Sequence, residues 1–352
     1  MKRVLYDDQI FTIQRFGGIS RYFCELMKHS QGLFNYSTGG LFSNNFYANE
    51  LGFHKKFPIR FKFIGKRHLQ KCLREQDLIK KIKQANIIHP TYYDPYLIKK
   101  TNKPIVLTVY DMIRELFPDK VIDVYDKKSL IEHSSQIIAI SQNTKKDILK
   151  IYPQIPEEKI SVVHLGTSWD VFEEMQKKQD YILFTGDRAV YKNFNNFIFA
   201  VAPLLRKYNL MLKCTGHPFT NEETYLLKQQ NVFDKTSIEF ADERELKSLY
   251  ANALCFVFPS LYEGFGIPIL EAFACCCPIV CSNTSCFPEI AENAAEYFNP
   301  NSIDDMREKI DRVICSETLR EKLVSKGLDR LKAFSWQKCT EQTSKIYEKA
   351  ML

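Results

Sequence analysis

Apolar positions along this chain fall into short unbroken runs separated by longer stretches with helical spacing. In the first half the runs are Arg3–Asp7, Asn86–His89, Ile105–Tyr110, Gln136–Ile140 and Ile160–His164. Between them a helix carries Tyr22, Phe23, Leu26 and Met27, and Ser141 stands as an N-cap ahead of Thr144–Ile151. Runs of this kind, alternating with helices, predict parallel strands covered on both faces. A polar, non-periodic stretch at 171–180 reads as a linker. A second series follows: Tyr181–Phe184, Leu210–Cys214, Ser237–Phe240, Leu254–Phe258 and Pro278–Cys281, with helices such as Phe194–Tyr208 and Arg244–Ala251 between them. From Ile303 onward the spacing is helical, with an interruption around Phe334–Trp336. The expected fold is α/β, two Rossmann-like doubly wound domains facing a central cleft. Its ligands belong beyond the carboxyl ends of the strands.

One stretch stands out from the pattern. Leu261–Glu271, LYEGFGIPILE, follows a buried strand and places Glu263 and Glu271 eight residues apart with Gly264, Gly266 and Pro268 between. Pro268 suits the first turn of a helix, and Glu271 is expected in that first turn. The result is strand, glycine loop and helix start, able to bring backbone N–H groups against an anion. Helix-dipole complementarity accounts for Glu271 alone, but not for Glu263 between glycines.

Four further segments follow strands. Gly186–Asn193 carries Arg188 and Lys192 near a helix N-terminus, an arrangement for an anion or, alternatively, a solvated pair on a turn. Phe16–Arg21 contains Gly17 and Gly18, which either admit a phosphate or sugar or form a plain tight turn. Asp111 ends a central strand, where a carboxylate faces ligand or caps a helix. Tyr92 and Tyr93 line a sugar or acceptor site, or simply pack. Neither Gly-x-x-x-x-Gly-Lys-Ser/Thr nor Gly-x-Gly-x-x-Gly occurs, which argues against a P-loop and a nicotinamide dinucleotide.

Composition narrows the picture. The 352 residues suffice for two domains, and 45% hydrophobic with 26% charged content is that of a globular protein. The first residues lack the pattern of a signal peptide, and no uncharged apolar stretch reaches the roughly 20 residues of a membrane span. Eleven cysteines without a secretion signal read as reduced thiols in the cytoplasm. Cys275, Cys276, Cys277, Cys281 and Cys286 lack paired CxxC spacing, so they are assigned to packing and no metal is expected. The net charge of +7 is concentrated between Lys55 and Lys83, where eleven Lys/Arg face Glu75 and Asp77, so the rest of the chain carries −2. Apolar residues interleave with these cations, which suits an anionic membrane surface or a lipid phosphate, a solvated helix face being the alternative. Nucleic acid is not expected, since no recognition module accompanies the charge.

Taken together, these motifs resemble the retaining glycosyltransferases of family 4, which have the GT-B fold. Glu263–Glu271 matches the family's E-x7-E motif, led by Pro259-Ser-Leu-Tyr and continued by Ala-Phe-Ala and Cys277-Pro-Ile-Val. Gly186, Arg188, Lys192 and Asn193 resemble its diphosphate-binding segment, and Gly17-Gly-Ile-Ser-Arg21 its N-terminal glycine loop. Ser141 with Thr144, His164-Leu-Gly166 and Phe287-Pro-Glu289 also follow the family pattern. The family often has His-Asp where this chain has Tyr110-Asp111.

The resemblance implies roles. Glu271 binds the donor ribose and Glu263 the hydroxyls of the transferred sugar. Amides of Gly264, Phe265, Gly266 and Ile267, with Gly17 and Gly18, help hold the donor. Arg188 and Lys192 neutralise the leaving diphosphate in place of a metal, and Asp111 joins Arg188, Lys192 and Glu263 in catalysis. Tyr92, Tyr93 and Tyr110 lie on the acceptor side. Domains are expected at 1–170 (acceptor side) and 181–335 (nucleotide-sugar side), with a helix at 336–352 packing back on the first. The implied activity is transfer of a hexose from a UDP- or GDP-linked sugar, without a cofactor, to a glycan or lipid-linked glycan in polysaccharide biosynthesis. The site is cytoplasmic or peripheral at the inner membrane face. A sugar-nucleotide epimerase of the same fold and a non-catalytic nucleotide-sugar-binding protein are the alternatives.

Overall fold

The computed structural model describes residues 1–40, 43–52, 75–118, 126–172 and 178–352. Most of the basic segment Lys55–Lys83 lies outside the described residues, as does the centre of the expected linker. The chain divides into two compact units, Met1–Leu165 with Trp336–Leu352, and Gly166–Ser335.

In the first unit, β1 (Arg3–Tyr6), β2 (Asn35–Thr38) and β3 (Ile87–His89) pair in parallel in the order β2-β1-β3. A second parallel set runs β4 (Val106–Val109), β5 (Gln136–Ala139), β6 (Ile160–Val162), and a bridge from Ile88 to Ile105 joins the two sets. Side chains of β1, β3, β4 and β5 are almost wholly buried, as strands covered on both faces must be. The polar strand β2 escapes a reading based on apolar runs because it sits half-exposed at the edge.

The helix Trp336–Ala350 belongs to this first unit and is fastened to it by a buried polar chain. The Tyr347 hydroxyl bonds Tyr6 Oη at 2.9 Å and His89 Nδ1 at 2.7 Å, while His89 Nε2 pairs with Thr108 Oγ1 at 2.9 Å. Tyr22 Oη reaches the same Thr108 hydroxyl at 3.1 Å. A neutral imidazole, one nitrogen donating and the other accepting, satisfies both bonds. Burial enforces that state by driving the His89 pKa down to about 3.

The second unit is a six-stranded parallel sheet. In chain order its strands are β7 (Gln179–Phe184), β8 (Met211–Thr215), β9 (Thr236–Glu239), β10 (Ala253–Phe258), β11 (Ile279–Ser282) and β12 (Glu296–Phe298). Their spatial order is β12-β11-β10-β7-β8-β9, so the chain winds outward from β7, then returns and winds the other way from β10. That is the doubly wound order, with its reversal between β7 and β10. The helix Phe194–Lys207 covers one face through Phe197, Val201 and Leu205, against Ile182, Leu212 and Val257 of the sheet.

The buried His89 gives acid stability a definite sign. As pH falls below about 6.5 the unfolded imidazole takes up a proton that the folded one refuses until about 3, so stability is lost across that window. Asp7, whose carboxyl is raised to about 6 by burial, acts oppositely, since the folded state binds its proton first. His89→Gln is expected to cost about 1–3 kcal/mol at pH 7 through the broken buried bonds. The advantage of His89 over Gln should shrink in urea melts at pH 4; a pH-independent difference would contradict a neutral buried His89.

Candidate functional site

The reversal in the second unit decides where its ligand site forms. β7 and β10 are neighbours at the point where the strand order reverses, beyond whose carboxyl ends sheets of this kind form their binding crevice. Two loops meet there, 185–193 after β7 and 259–266 after β10, and Leu261 N–H donates to Tyr191 C=O at 2.7 Å. Side by side, the loops put Lys192 Nζ 2.6 Å from Glu263 Oε1, with both side chains largely withdrawn from solvent at 16% and 13% exposure. Ser260, fully buried, donates to the same Oε1 at 2.8 Å, which leaves Oε2 open to a further donor. Burial pulls the Lys192 ammonium down, but Glu263, Tyr191 and Asp187 around it outweigh that and hold it above the ordinary lysine value. The ammonium stays charged at any physiological pH.

Arg188 is a fixed fork. Its Nε donates to Glu223 Oε1 at 2.9 Å and its Nη2 to Pro218 C=O at 3.0 Å and to His217 C=O, and it lies over the rings of Phe194 and Phe219. The side chain is 4% exposed, and Nη1 is buried without a partner among the described residues. An unspent guanidinium donor in a buried place is costly unless something anionic meets it. The wall beside it is backbone. Gly216 has φ +108°, and a Cβ there would come 2.6 Å from Gly186 C=O and 3.7 Å from Nη1. Only glycine fits.

The helix Ile267–Ala274 starts after Gly266, whose φ of +88° is the left-handed conformation, and has Pro268 as its second residue. Glu271 is its fifth residue, and no acid occupies the first turn. The expectation of Glu271 in the first turn is therefore corrected: starting at Ile267, the helix puts it on the second turn, out of reach of the end charge. Tyr250 Oη lies 3.4 Å from Glu271 Oε2 and 3.0 Å from Thr185 Oγ1, which links this glutamate to the end of β7. Phe265 is buried edge-on to Phe334, so what this residue can offer a ligand is its backbone.

In the first unit the corresponding crevice, between β1 and β3, is filled by the protein itself. Asp7 accepts from Thr91 N–H at 2.8 Å, from Gln9 Nε2 at 2.5 Å and from Tyr96 Oη at 3.2 Å, while Asp94 N–H bonds Gln9 Oε1. Gly17 caps the helix Gly18–Lys28, where the Gln14 side chain accepts from Ser20 N–H at 3.3 Å and would collide with any Cβ on Gly17. Asp111 Oδ1 accepts from Ile113 N–H two residues on at 3.0 Å, and from Lys127 Nζ at 3.4 Å. Lys127, 2% exposed, also pairs with Glu115 at 2.9 Å and sits over the Tyr93 ring. Tyr93 and Tyr110 are buried, and Tyr93 Oη accepts from Tyr110 N–H, so both are packing residues of this unit while Tyr92 is half-buried.

Sequence reasoning thus placed Arg188, Lys192, Glu263, Gly266 and Glu271 within one unit. It missed Ser260, Glu223 and Tyr250, which contact Glu263, Arg188 and Glu271, and Lys127, which pairs with Asp111 in the first unit. Their only sequence signals are Ser260 two residues beyond a strand's end and Glu223 three residues beyond Thr220 in a capping box. The clustered cysteines are thiols in the core. Cys275, Cys277, Cys281 and Cys286 are buried, and desolvation raises the Cys277 thiol to about 12.

The motifs that build these loops also match known proteins. A model of group 1 glycosyl transferases matches residues 167–330, and one of glycosyltransferase family 4 matches residues 16–169. The chain belongs to glycosyltransferase family 4. The O-antigen chain mannosyltransferase B of Escherichia coli is 28% identical to this transferase over 284 residues, 74% of this chain and 73% of that one. The O-antigen chain mannosyltransferase RfbU of Salmonella typhimurium is 31% identical over 200 residues, 55% of this chain and 56% of that one. Among solved structures, Anabaena HepE in complex with UDP and glucose matches with TM-score 0.77 at 14% identity, over 99% of this chain and 100% of that one. A glycosyltransferase from Rickettsia africae matches with TM-score 0.72 at 19% identity, over 99% and 98%. The fold of this family 4 transferase is GT-B, two Rossmann-like units with parallel sheets.

The left-handed start of the glutamate helix is directly testable. Gly266→Ala should cost the transferase about 1–2 kcal/mol from the left-handed backbone alone, with crowding against Ile269 at 3.3 Å and Phe287 at 3.4 Å adding to it. An unchanged denaturation midpoint would contradict the backbone assigned to this loop.

Proposed function

We propose that this family 4 transferase moves a hexose from a nucleotide-diphosphate sugar to a glycan or lipid-linked glycan, with retention of anomeric configuration and without a metal. The observation that carries the reading is the Lys192–Glu263 pair at the strand reversal, with the unspent Nη1 of Arg188 in the same unit. One end of such a site suits phosphate and the other suits hydroxyl groups. In this reading Arg188 and Lys192 neutralise the diphosphate, and backbone amides from Gly264 to Ile267 add neutral donors. Glu263 Oε2 accepts from hydroxyls of the sugar and Glu271 from those of the ribose. The relatives named as mannosyltransferases favour mannose as that sugar, for assembly of a surface polysaccharide.

The chemistry is front-face substitution. The acceptor oxygen forms its bond to the anomeric carbon on the face from which the diphosphate departs, the carbon–oxygen bond to phosphate breaks, and a phosphate oxygen takes the acceptor proton. Fixed cations at the departing oxygens contribute most because they are already oriented when charge develops. No side-chain nucleophile is required. Tyr110 replaces the histidine common in the family, and its buried ring leaves Asp111 to serve the reacting sugar in that position. Lys127, 3.4 Å from that carboxylate, would orient it.

Attachment to an anionic membrane belongs to the same proposal. The charge excess between Lys55 and Lys83 supports it, as do Phe16 and Phe46, stacked at 5.3 Å and exposed by 57% and 42%.

Two outcomes test the proposal. Lys192→Ala and Arg188→Ala should each weaken nucleoside-diphosphate binding at least about tenfold in calorimetry, as expected for charge-assisted bonds to phosphate, and leave binding of the free nucleoside unchanged. Unaltered diphosphate affinity would overturn the phosphate assignment. Incubation with UDP- and GDP-hexoses should give transfer or slow hydrolysis; conversion of the donor to its epimer instead would favour the epimerase. Separately, Phe16→Ser with Phe46→Ser should reduce retention on anionic liposomes at low salt, and equal retention would remove this surface from the membrane contact.

A further inference from the structure

We propose that Ser285 is a positioning residue that sets the discrimination between donor sugars, acting through the backbone of Glu263. The inference rests on Glu263 receiving the hydroxyls of the transferred sugar. Ser285 lies in the loop after β11, three residues beyond the strand's end, and its φ is +51°. A non-glycine residue in that region is strained, and glycine would remove the strain. Serine offers what glycine lacks, a hydroxyl, and the structure uses both of its capacities on one residue. Ser285 Oγ accepts from Glu263 N–H at 3.0 Å and donates to Glu263 C=O at 3.1 Å. Its neighbour Thr284 donates to Leu261 C=O at 3.1 Å, so the 284–285 step grips the glutamate loop at two points.

This grip complements the side-chain bonds. Lys192 and Ser260 fix Glu263 Oε1 from the β7 and β10 loops, while Ser285 fixes the main chain of the same residue from the β11 loop. Three loops therefore determine where Oε2 lies. Epimeric sugars differ only in the direction of one hydroxyl, so telling them apart requires an acceptor held to a fraction of an ångström. A hydrogen-bonding site rejects the wrong partner strongly only when its polar groups cannot shift to accommodate it. A nucleoside diphosphate lacks that hydroxyl, so its affinity reports the cationic end of the site.

The test compares Ser285→Ala, Ser285→Gly and Glu263→Gln with the unaltered transferase, using calorimetric affinities for UDP, GDP and the epimeric pairs UDP-glucose/UDP-galactose and GDP-mannose/GDP-glucose. The glycine variant removes the hydroxyl while relieving the backbone, so it remains informative if the alanine variant fails to fold. For the pair the protein distinguishes best, the affinity ratio should fall about fivefold or more in both serine variants, with nucleoside-diphosphate affinity within about twofold. An unchanged ratio in the serine variants alongside a collapsed one in Glu263→Gln overturns the role of Ser285. A parallel loss of nucleoside-diphosphate affinity also overturns it, because the residue then merely supports the loop. An unchanged ratio in Glu263→Gln instead sinks the assignment of Glu263 itself.

Discussion

A lysine and a glutamate 2.6 Å apart, taken largely out of water where the strand order reverses, are the interaction on which the site depends. Removing two charges from solvent is costly, and their attraction recovers that cost only with good geometry and further hydrogen bonds. Here Ser260 supplies a second donor, and the loops carrying the two charges are joined by the Leu261–Tyr191 main-chain bond. One contact thus ties the loop after β7, which carries the cations, to the loop after β10, which carries the acceptor. In the proposed reaction it couples the phosphate and sugar ends of the donor.

The two units solve the same topological problem differently. Each has a point beside its first strand where the winding direction changes. In the first unit Asp7, Gln9 and Thr91 fill that crevice, with Tyr96 and Asp94 completing the network. The second unit places there an arginine whose Nη1 has no partner among the described residues and a glutamate whose Oε1 is bonded by Lys192 and Ser260. The first is closed by the protein's own hydrogen bonds, while the second holds the pair to which the proposed donor binding is assigned. The helix Trp336–Ala350 strengthens that division, since its Tyr347 locks a neutral His89 between β1 and β4 of the first unit.

Much of this was legible in the sequence because parallel strands buried on both faces write themselves as apolar runs. Ten strands declared themselves in that way, while Asn35–Thr38 and Glu296–Phe298 did not, the first being polar and half-exposed and the second having Phe298 as its one fully buried residue. Gly266 and Pro268 marked the glutamate loop because left-handed backbone and a helix's first turn restrict residue choice. What stayed hidden depends on tertiary partners. Nothing local to Arg188 announces Glu223 beneath it, and nothing around Ser285 announces Glu263. Glu271 was misplaced by one turn because the first helical residue was fixed only by the backbone of Gly266. Tyr93 and Tyr110 show a further limit, since aromatics after a strand do not announce from sequence how deeply they are buried.

The central claim is that Lys192 and Glu263 act as one unit on the two ends of the donor, and a double-mutant cycle measures that directly. Calorimetric affinity for the preferred nucleotide-diphosphate sugar would be compared across the unaltered protein, Lys192→Met, Glu263→Gln and the double variant. Coupling of about 1 kcal/mol or more between the two substitutions is the expected result. Losses that add to within about 0.3–0.5 kcal/mol would mean that the two residues serve the ligand independently, and would contradict the account.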